Sequence, residues 1–350
     1  MSANRTFRNV ATLDLRRADA GSAERALFLR DLRSAARDVG FFYLVGHGIE
    51  DDLVRKILAL TRRFFTLPTE DKLAIEMVNS PHFRGYNRAG FEHTRGKPDW
   101  REQLDVGAER PALSLDPSAP AWTRLQGPNQ WPAALPELKQ TLLAYQEKTT
   151  ALAIRVLRAL AAALDQPDDV FASIYSPAPH QLLKLIRYPG RAADESDQGV
   201  GAHKDSGFLT ILLQDEEAGL QVEGEDGWID APPVPGTFVV NIGEILEMAS
   251  NGYLRANVHR VVSPRPGIDR YSVAFFLGAR LDATVPLLSL PPHLAAEARG
   301  VTADPLNPLF REVGRNYLKG RLRSHPDVAR RHHADLIDPA QSTLEPASAY

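Results

Sequence analysis

The sequence predicts a mixed α/β fold of the α+β kind, with helices leading into an antiparallel sandwich or barrel. Three observations carry this. Apolar residues recur at helical spacing in several stretches up to residue 164, whereas beyond residue 180 the period changes to 2 and the segments shorten. Gly, Pro and Asp separate those short segments, and few helical patterns intervene. With 350 residues, 43% of them hydrophobic, the chain is long enough to bury a large core.

From Ser22 to Val39, Ala26, Leu29, Leu32, Ala36 and Val39 mark one helix face, with Ser22 as N-cap and Gly40 as stop. Phe41 to Val45 (FFYLV) reads as a strand closed by the turn Gly46-His47-Gly48. A second helix follows from Asp51 to about Phe65 and stops before Pro68. Residues 79 to 132 are rich in Gly, Pro, Asn and charge, too long a span for a passive connector, and are expected to lie over a site. Pro136 to Leu164 is the longest helical pattern, ended by Asp165-Gln166-Pro167. The strands expected next are Leu182 to Tyr188, Phe208 to Gln214, Gly219 to Val222, Trp228 to Asp230, Phe238 to Ile242, His259 to Val262 and Tyr271 to Leu277. A helix at about Pro308 to Leu322 closes the fold. The organisation expected is an N-terminal helical and mixed region (1–130), a β core with its leading and closing helices (131–335), and a flexible tail (336–350).

Composition narrows the function. A net charge of -3, with no Lys/Arg block, gives nothing to neutralise a phosphate backbone, so nucleic acid is not an expected partner. The N-terminal stretch has scattered charges and no apolar core, and no window offers about 18 uninterrupted apolar residues, so neither export nor membrane insertion is expected and the location predicted is cytoplasmic. With no cysteine, disulfides, thiolate metal sites and cysteine nucleophiles are excluded, and a metal must be held by His, Asp or Glu.

The stretch GAHKDSGFLTILLQ (201–214) sets His203 and Asp205 two residues apart just before an apolar strand, where an extended chain puts both on one side. His259, opening HRVVS, is the third candidate ligand, carried by hairpin strands to the opposite wall of a barrel. Two imidazoles and a carboxylate leave one face of an ion open, the facial arrangement of non-haem Fe(II) oxygenases, with Zn as the rival ion. Isolated His-x-Asp pairs are common, so the weight comes from the next strand, where Arg270 and Ser272 share a face suited to holding a carboxylate.

HKD, a distant His and RYS, preceded by LKLIRYPG and by GFFYLVGHGI near the N-terminus, together resemble the Fe(II)- and 2-oxoglutarate-dependent oxygenases of the isopenicillin N synthase-like family, over roughly Ala11 to His333. The resemblance implies a distorted double-stranded β-helix, or jelly roll, flanked by helices. It implies His203, Asp205 and His259 as iron ligands, Arg270 and Ser272 on the distal carboxylate of 2-oxoglutarate, and Tyr188 beside the co-substrate or substrate. His47 falls in a structural signature of that family, and His82, His93, His180, His332 and His333 lack partners at useful spacing.

The reaction so implied uses Fe(II), 2-oxoglutarate and O2, decarboxylates 2-oxoglutarate to succinate, and hydroxylates, desaturates or cyclises a small organic substrate, in specialised or amino-acid-related metabolism. Substrate contacts are expected from Lys184 and Ile186 on the strand of Tyr188, and from Phe83, Arg84, Tyr86, Glu92 and Thr94 if the long loop closes over the mouth. Arg84 and Lys184 could anchor an acidic group or serve as fold-supporting ion pairs. The segment GKPDWREQLDVG resembles a structural stretch of the family, which leaves Asp99 and Glu102 without a site role. Three alternatives remain at this level: an iron oxidase without 2-oxoglutarate, like isopenicillin N synthase; fragmentation of 2-oxoglutarate itself, as in ethylene formation; and a jelly-roll binding protein, which the complete ligand set disfavours.

Overall fold

A computed structural model describes residues 9–114, 116, 118–192, 197–301 and 307–337. An eight-stranded sheet faces a four-stranded one. In spatial order the larger holds Ala11–Asp14, Phe41–Val45, Phe238–Ile242, Leu209–Gln214, Arg270–Leu277, Gln181–Tyr188, Glu102–Gly107 and Gly85–Asn87. The smaller holds Gly227–Asp230, Leu220–Gly224, His259–Val262 and Gln198–His203. Only the pairing of Ala11–Asp14 with Phe41–Val45 is parallel among these strands.

Alternation along the strands explains why both layers hold. Leu183, Leu185, Ile211, Leu213, Val273 and Phe275 turn outward into a large core with the helices Ser22–Asp38, Asp51–Phe65 and Glu137–Ala163. Ile186, Tyr188, Val239, Tyr43 and Ala274 turn inward, meeting Val200, Val222 and Val261 of the smaller sheet. The strand Leu209–Gln214 is apolar almost throughout because both of its faces are covered. The helix Asp51–Phe65 sets Asp51 and Asp52 in its first turn and Arg62 and Arg63 in its last, matching its dipole. The first helix is capped by Gly21 without a side-chain bond, not by Ser22. It stops where Gly40 takes a φ of +74°, a position where a Cβ would lie 2.0 Å from the Arg255 carbonyl oxygen.

The span 79–132 is not a free loop. It adds Gly85–Asn87 and Glu102–Gly107 to the edge of the large sheet, with a small hairpin, His93–Thr94 and Lys97–Pro98, between them. RGYNRAG, part of the long loop from which substrate contacts were expected, contributes a buried strand instead. The C-terminal helix runs from Val313 to Ser324, later than expected, and a second from Pro326 to His332 follows. The tail expected from residue 336 lies, beyond Ile337, outside the described residues. No helix among the described residues is long and apolar enough to cross a membrane.

Three substrate assignments change accordingly. Phe83 is fully buried with Met77, Leu125, Leu318 and Val328, and stacks on His333 with 5.2 Å between ring centroids. Tyr86 faces the helices, not the jelly-roll interior, because register places it opposite Leu104; its hydroxyl donates to Glu102 Oε2 at 2.6 Å. Arg84 is buried and donates to the backbone carbonyls of His82 (2.8 Å) and Leu125 (3.0 Å), clamping two segments of chain. Arg84→Ala should therefore unsettle the fold before it alters substrate selection. Two orphaned buried carbonyls imply a loss of about 2 to 5 kcal/mol, read by denaturant unfolding; a change in substrate KM without loss of stability would refute this placement.

The helix Val313–Ser324 reaches back into the molecule. Arg321 donates to Asp105 Oδ2 at 2.8 Å, and its Nη1 lies 3.1 Å from His325 Nε2. Burial, with Arg321 adjacent, pushes His325 down to about 4 against the pull of Glu92. The unfolded chain takes up this proton near the ordinary value of about 6.5, the folded chain only below it, so stability present above that pH is lost as pH falls toward 4. In His325→Gln the slope of unfolding free energy between pH 6.5 and 4 should shrink by up to about 1.4 kcal/mol per pH unit. An unchanged slope would show that His325 does not titrate in this way.

Candidate metal and co-substrate site

His203 and His259 face each other as register partners on neighbouring strands of the smaller sheet, not on opposite walls. The strand Gln198–His203 carries one extra residue between the pairs His259–His203 and Val261–Val200. That bulge lets both Val200 and His203, three apart, serve the inner side. Asp205 sits in the turn where the chain crosses from the small sheet to Leu209–Gln214 in the large one. Its carbonyl accepts from Glu244 N at 2.7 Å, holding the turn on the helix Glu244–Ala249.

The Nδ1–H of His203 donates to the Gly201 carbonyl (2.8 Å) and that of His259 to the Asn257 carbonyl (3.2 Å), so both Nε2 lone pairs are free to bind a cation. Asp205 Oδ1 lies 3.5 Å from His203 Nε2 and 3.7 Å from His259 Nε2. Its other oxygen, Oδ2, accepts from Thr210 Oγ1 (2.5 Å) and Asn241 Nδ2 (2.8 Å), which turns Oδ1 toward the imidazoles. Burial raises the Asp205 carboxyl, but His259, His203 and the Asn241 bond outweigh it and hold the group far below the carboxylate range. Burial lowers His203, yet the hydrogen bond and charge of Asp205 bring it above its ordinary value. Burial and then the neighbouring His203 push His259 down to about 4. An ionised carboxylate and a neutral imidazole at neutral pH are the protonation states a divalent ion requires.

The ligand atoms of these three residues all lie within 4.8 Å of one another, the one such cluster among the described residues, and the N, N, O donor set fits a facially bound Fe(II). Thr210 and Asn241 were not foreseen, because nothing in the sequence spacing ties them to Asp205; register does, since they are cross-strand partners. Asn241→Ala should weaken metal binding by about 10- to 100-fold with the ligands intact, measured by Mn(II) titration of the apoprotein. Unchanged affinity would show that Asp205 needs no such support.

Arg270 and Ser272 share the inner face of Arg270–Leu277, and both are fully buried. Gln214 Oε1 accepts from Arg270 Nη2 at 2.8 Å, and the guanidinium lies over the Tyr188 ring, 5.0 Å from its centroid. Arg270 Nε and Nη1 and Ser272 Oγ have no hydrogen-bond partner. Buried donors left over in this way, on the face turned toward the His-Asp-His cluster, fit a carboxylate from outside the chain.

Farther along that face lie Lys184 and Ile186. Ile186 packs in the interior cluster, while Lys184 is ion-paired to Glu92 (3.3 Å) and Asp105 (3.7 Å). Glu92 also pairs with Arg101 at 2.8 Å, and Thr94 donates to Asp99 Oδ2 at 2.8 Å. Asp99 in turn accepts from Gly201 N at 3.0 Å on the strand of His203. Glu102 faces the other way, with Lys72, Tyr86 and Arg187. Sequence reasoning passed over Arg101, Gln103 and Asp105. Their signal was present: in REQLDVG, polar residues at 101, 103 and 105 alternate with the apolar Leu104 and Val106, the pattern of a strand with one polar buried face.

Known proteins share this architecture and this site region. Residues 10–134 match the non-haem dioxygenase in morphine synthesis N-terminal family, and residues 173–279 match the 2OG-Fe(II) oxygenase superfamily. The 2-oxoglutarate-dependent dioxygenase frbJ of Dothideomycetidae sp. (strain 11243) is 38% identical over 92% of this chain and 91% of its own. A homoarginine-6-hydroxylase of Arabidopsis thaliana is 38% identical over 78% of this chain and 82% of its own. A full-length Neurospora crassa protein, solved in complex with alpha-KG and 5-formyluracil, superposes with a TM-score of 0.71 at 27% identity, covering 90% of this chain and 96% of its own. The jelly roll, the His-Asp-His cluster and this extent of likeness lead to one conclusion: the chain belongs to the 2OG-Fe(II) oxygenase superfamily, as a dioxygenase dependent on Fe(II) and 2-oxoglutarate.

Proposed function

We propose that His203, Asp205 and His259 hold Fe(II), that Arg270, Ser272 and Tyr188 hold the distal carboxylate of 2-oxoglutarate, and that the enzyme hydroxylates a small organic substrate placed beside them. The observation that carries this reading is the set of buried, partnerless Arg270 Nε, Arg270 Nη1 and Ser272 Oγ. Such atoms are costly unless a ligand supplies acceptors. An iron oxidase without 2-oxoglutarate would have to turn the same atoms onto its substrate. Hydroxylation, among the outcomes open to the family, is the reading supported by relatives named as hydroxylases.

When bound, Fe(II) with 2-oxoglutarate supplies the oxidising chemistry, coupling decarboxylation to succinate with attack on a C–H bond. The chain's own part is positional. Gln214 fixes the Arg270 fork in plane, Tyr188 backs it, and Thr210 and Asn241 hold Asp205. The apolar inner wall, with Ile186, Val200, Val261 and Ala274, keeps bulk water from the site. The test is anaerobic titration with Fe(II) and 2-oxoglutarate, followed through the weak visible charge-transfer band of the chelate. Appearance of the band in the wild type and its loss in His259→Ala support the assignment; no band at saturating concentrations would overturn it.

A further inference from the structure

A second set of buried, partnerless polar atoms lies beside the iron site. Asn87 Nδ2, Arg101 Nε, Gln103 Nε2, Asp105 Oδ1 and His325 Nδ1 all lack a hydrogen-bond partner. All but Asn87, which is the cross-strand neighbour of Gln103, belong to one connected network. Gln103 is the register partner of both Asn87 and Ile186, and its Oε1 accepts from Lys184 Nζ at 3.3 Å. Lys184 leads to Asp105, Asp105 to Arg321, and Arg321 to His325. Glu92 joins Lys184 to Arg101. Since an arginine only donates, His325 Nε2 accepts from Arg321 and its Nδ1 carries the proton. The unused atoms are therefore four N–H donors against one carboxylate oxygen.

Charge points the same way. Among the described residues, Arg101, Lys184 and Arg321 are matched by Glu92, Asp99 and Asp105, while Arg84, which feels the charges of Arg321 and Asp105 but donates to backbone carbonyls, adds one positive charge in excess. His325, held neutral by burial, adds none. The iron site supplies no compensation, because the charges of Fe(II) and 2-oxoglutarate cancel, as do those of Asp205 and Arg270. On the outer face of the same strands, Lys72 and Arg187 are matched by Glu102 and Asp269. A buried excess charge is unfavourable unless a counter-charge arrives with a ligand.

We infer that this network, between the sheet edge and the C-terminal helix, is the seat of a substrate bearing a single carboxylate, received by the excess donors around Arg101, Gln103 and Lys184, with a neutral N–H or O–H for Asp105 Oδ1. The inference rests on the assignment of the iron and 2-oxoglutarate site and adds the substrate's chemical class. It places no cationic group against these donors, unlike the guanidinium that a homoarginine would bring.

The experiment uses the full chain loaded with Mn(II) and 2-oxoglutarate without oxygen. Hexanoate, phenylacetate and N-acetylglycine are titrated by calorimetry, each against its neutral amide. The acids should bind at least tenfold more tightly than the amides, and N-acetylglycine, with its N–H, should bind most tightly. Lys184→Gln removes the excess charge and should abolish the preference, whereas Asp105→Asn increases that charge and should keep or enlarge it. Equal binding of acids and amides, or equal loss in both variants, would make the network a structural set of ion pairs and overturn the inference. Titration of 2-oxoglutarate into the same samples separates the two levels: if it fails to bind in the wild type, the underlying site assignment falls; if it binds and the acids do not, only the substrate class falls.

Discussion

His259→Ala is expected to abolish 2-oxoglutarate turnover while leaving the jelly roll standing. His259 is one of three ligand atoms converging on one point, and its Nε2 is presented by a hydrogen bond from its own Nδ1–H to Asn257. Residues that merely orient a ligand are worth about 10- to 100-fold in metal affinity. Deleting a ligand should exceed that, and two remaining donors cannot define the facial geometry. The apoprotein loses a buried ring that packs edge-on against Phe41, 5.1 Å between centroids, a cost of about 1 to 3 kcal/mol. Mn(II) titration, turnover with excess iron and circular dichroism distinguish the two effects. Substantial turnover by the variant would remove His259 from the metal.

The second large effect is that of Arg270→Leu, in which the metal ligands are untouched. The guanidinium is fully buried, so its two unused nitrogens can be satisfied only by a ligand or an ordered water. A hydrogen bond to a charged group contributes about 1.5 to 3 kcal/mol, so 2-oxoglutarate affinity should fall roughly ten- to a hundredfold with Mn(II) affinity unchanged. If instead 2-oxoglutarate binding persists and substrate binding collapses, Arg270 serves the substrate and the oxidase alternative gains.

Much of this was readable in the linear chain. The switch from helical to alternating periodicity marked the helical and sheet regions, and the seven strands expected between Leu182 and Leu277 fell close to their bounds, but Gln198–His203, which carries His203, was not among them. His203, Asp205, His259, Arg270 and Ser272 stood out because the chemistry they suggest demands those residue types near strand ends. The strands Gly85–Asn87 and Glu102–Gly107 were missed since they lie in a span rich in Gly, Pro and charge, where edge pairing outweighs weak intrinsic preference.

What the sequence determined by itself was therefore the identity of the groups: the candidate ligand set, the candidate carboxylate fork and the apolar strands behind them. Which groups meet was decided by the tertiary structure. Register made His203 and His259 neighbours rather than opposites, joined Thr210 and Asn241 behind Asp205, and turned Tyr86 away while turning Gln103 and Asp105 inward. It also brought Arg321, 216 positions along the chain, onto Asp105. The physical reason is that side-chain direction in a sheet has a period of two. A shift of one residue in pairing reverses every face, and register is set by the packing of both sheets and the helices together, not by local sequence.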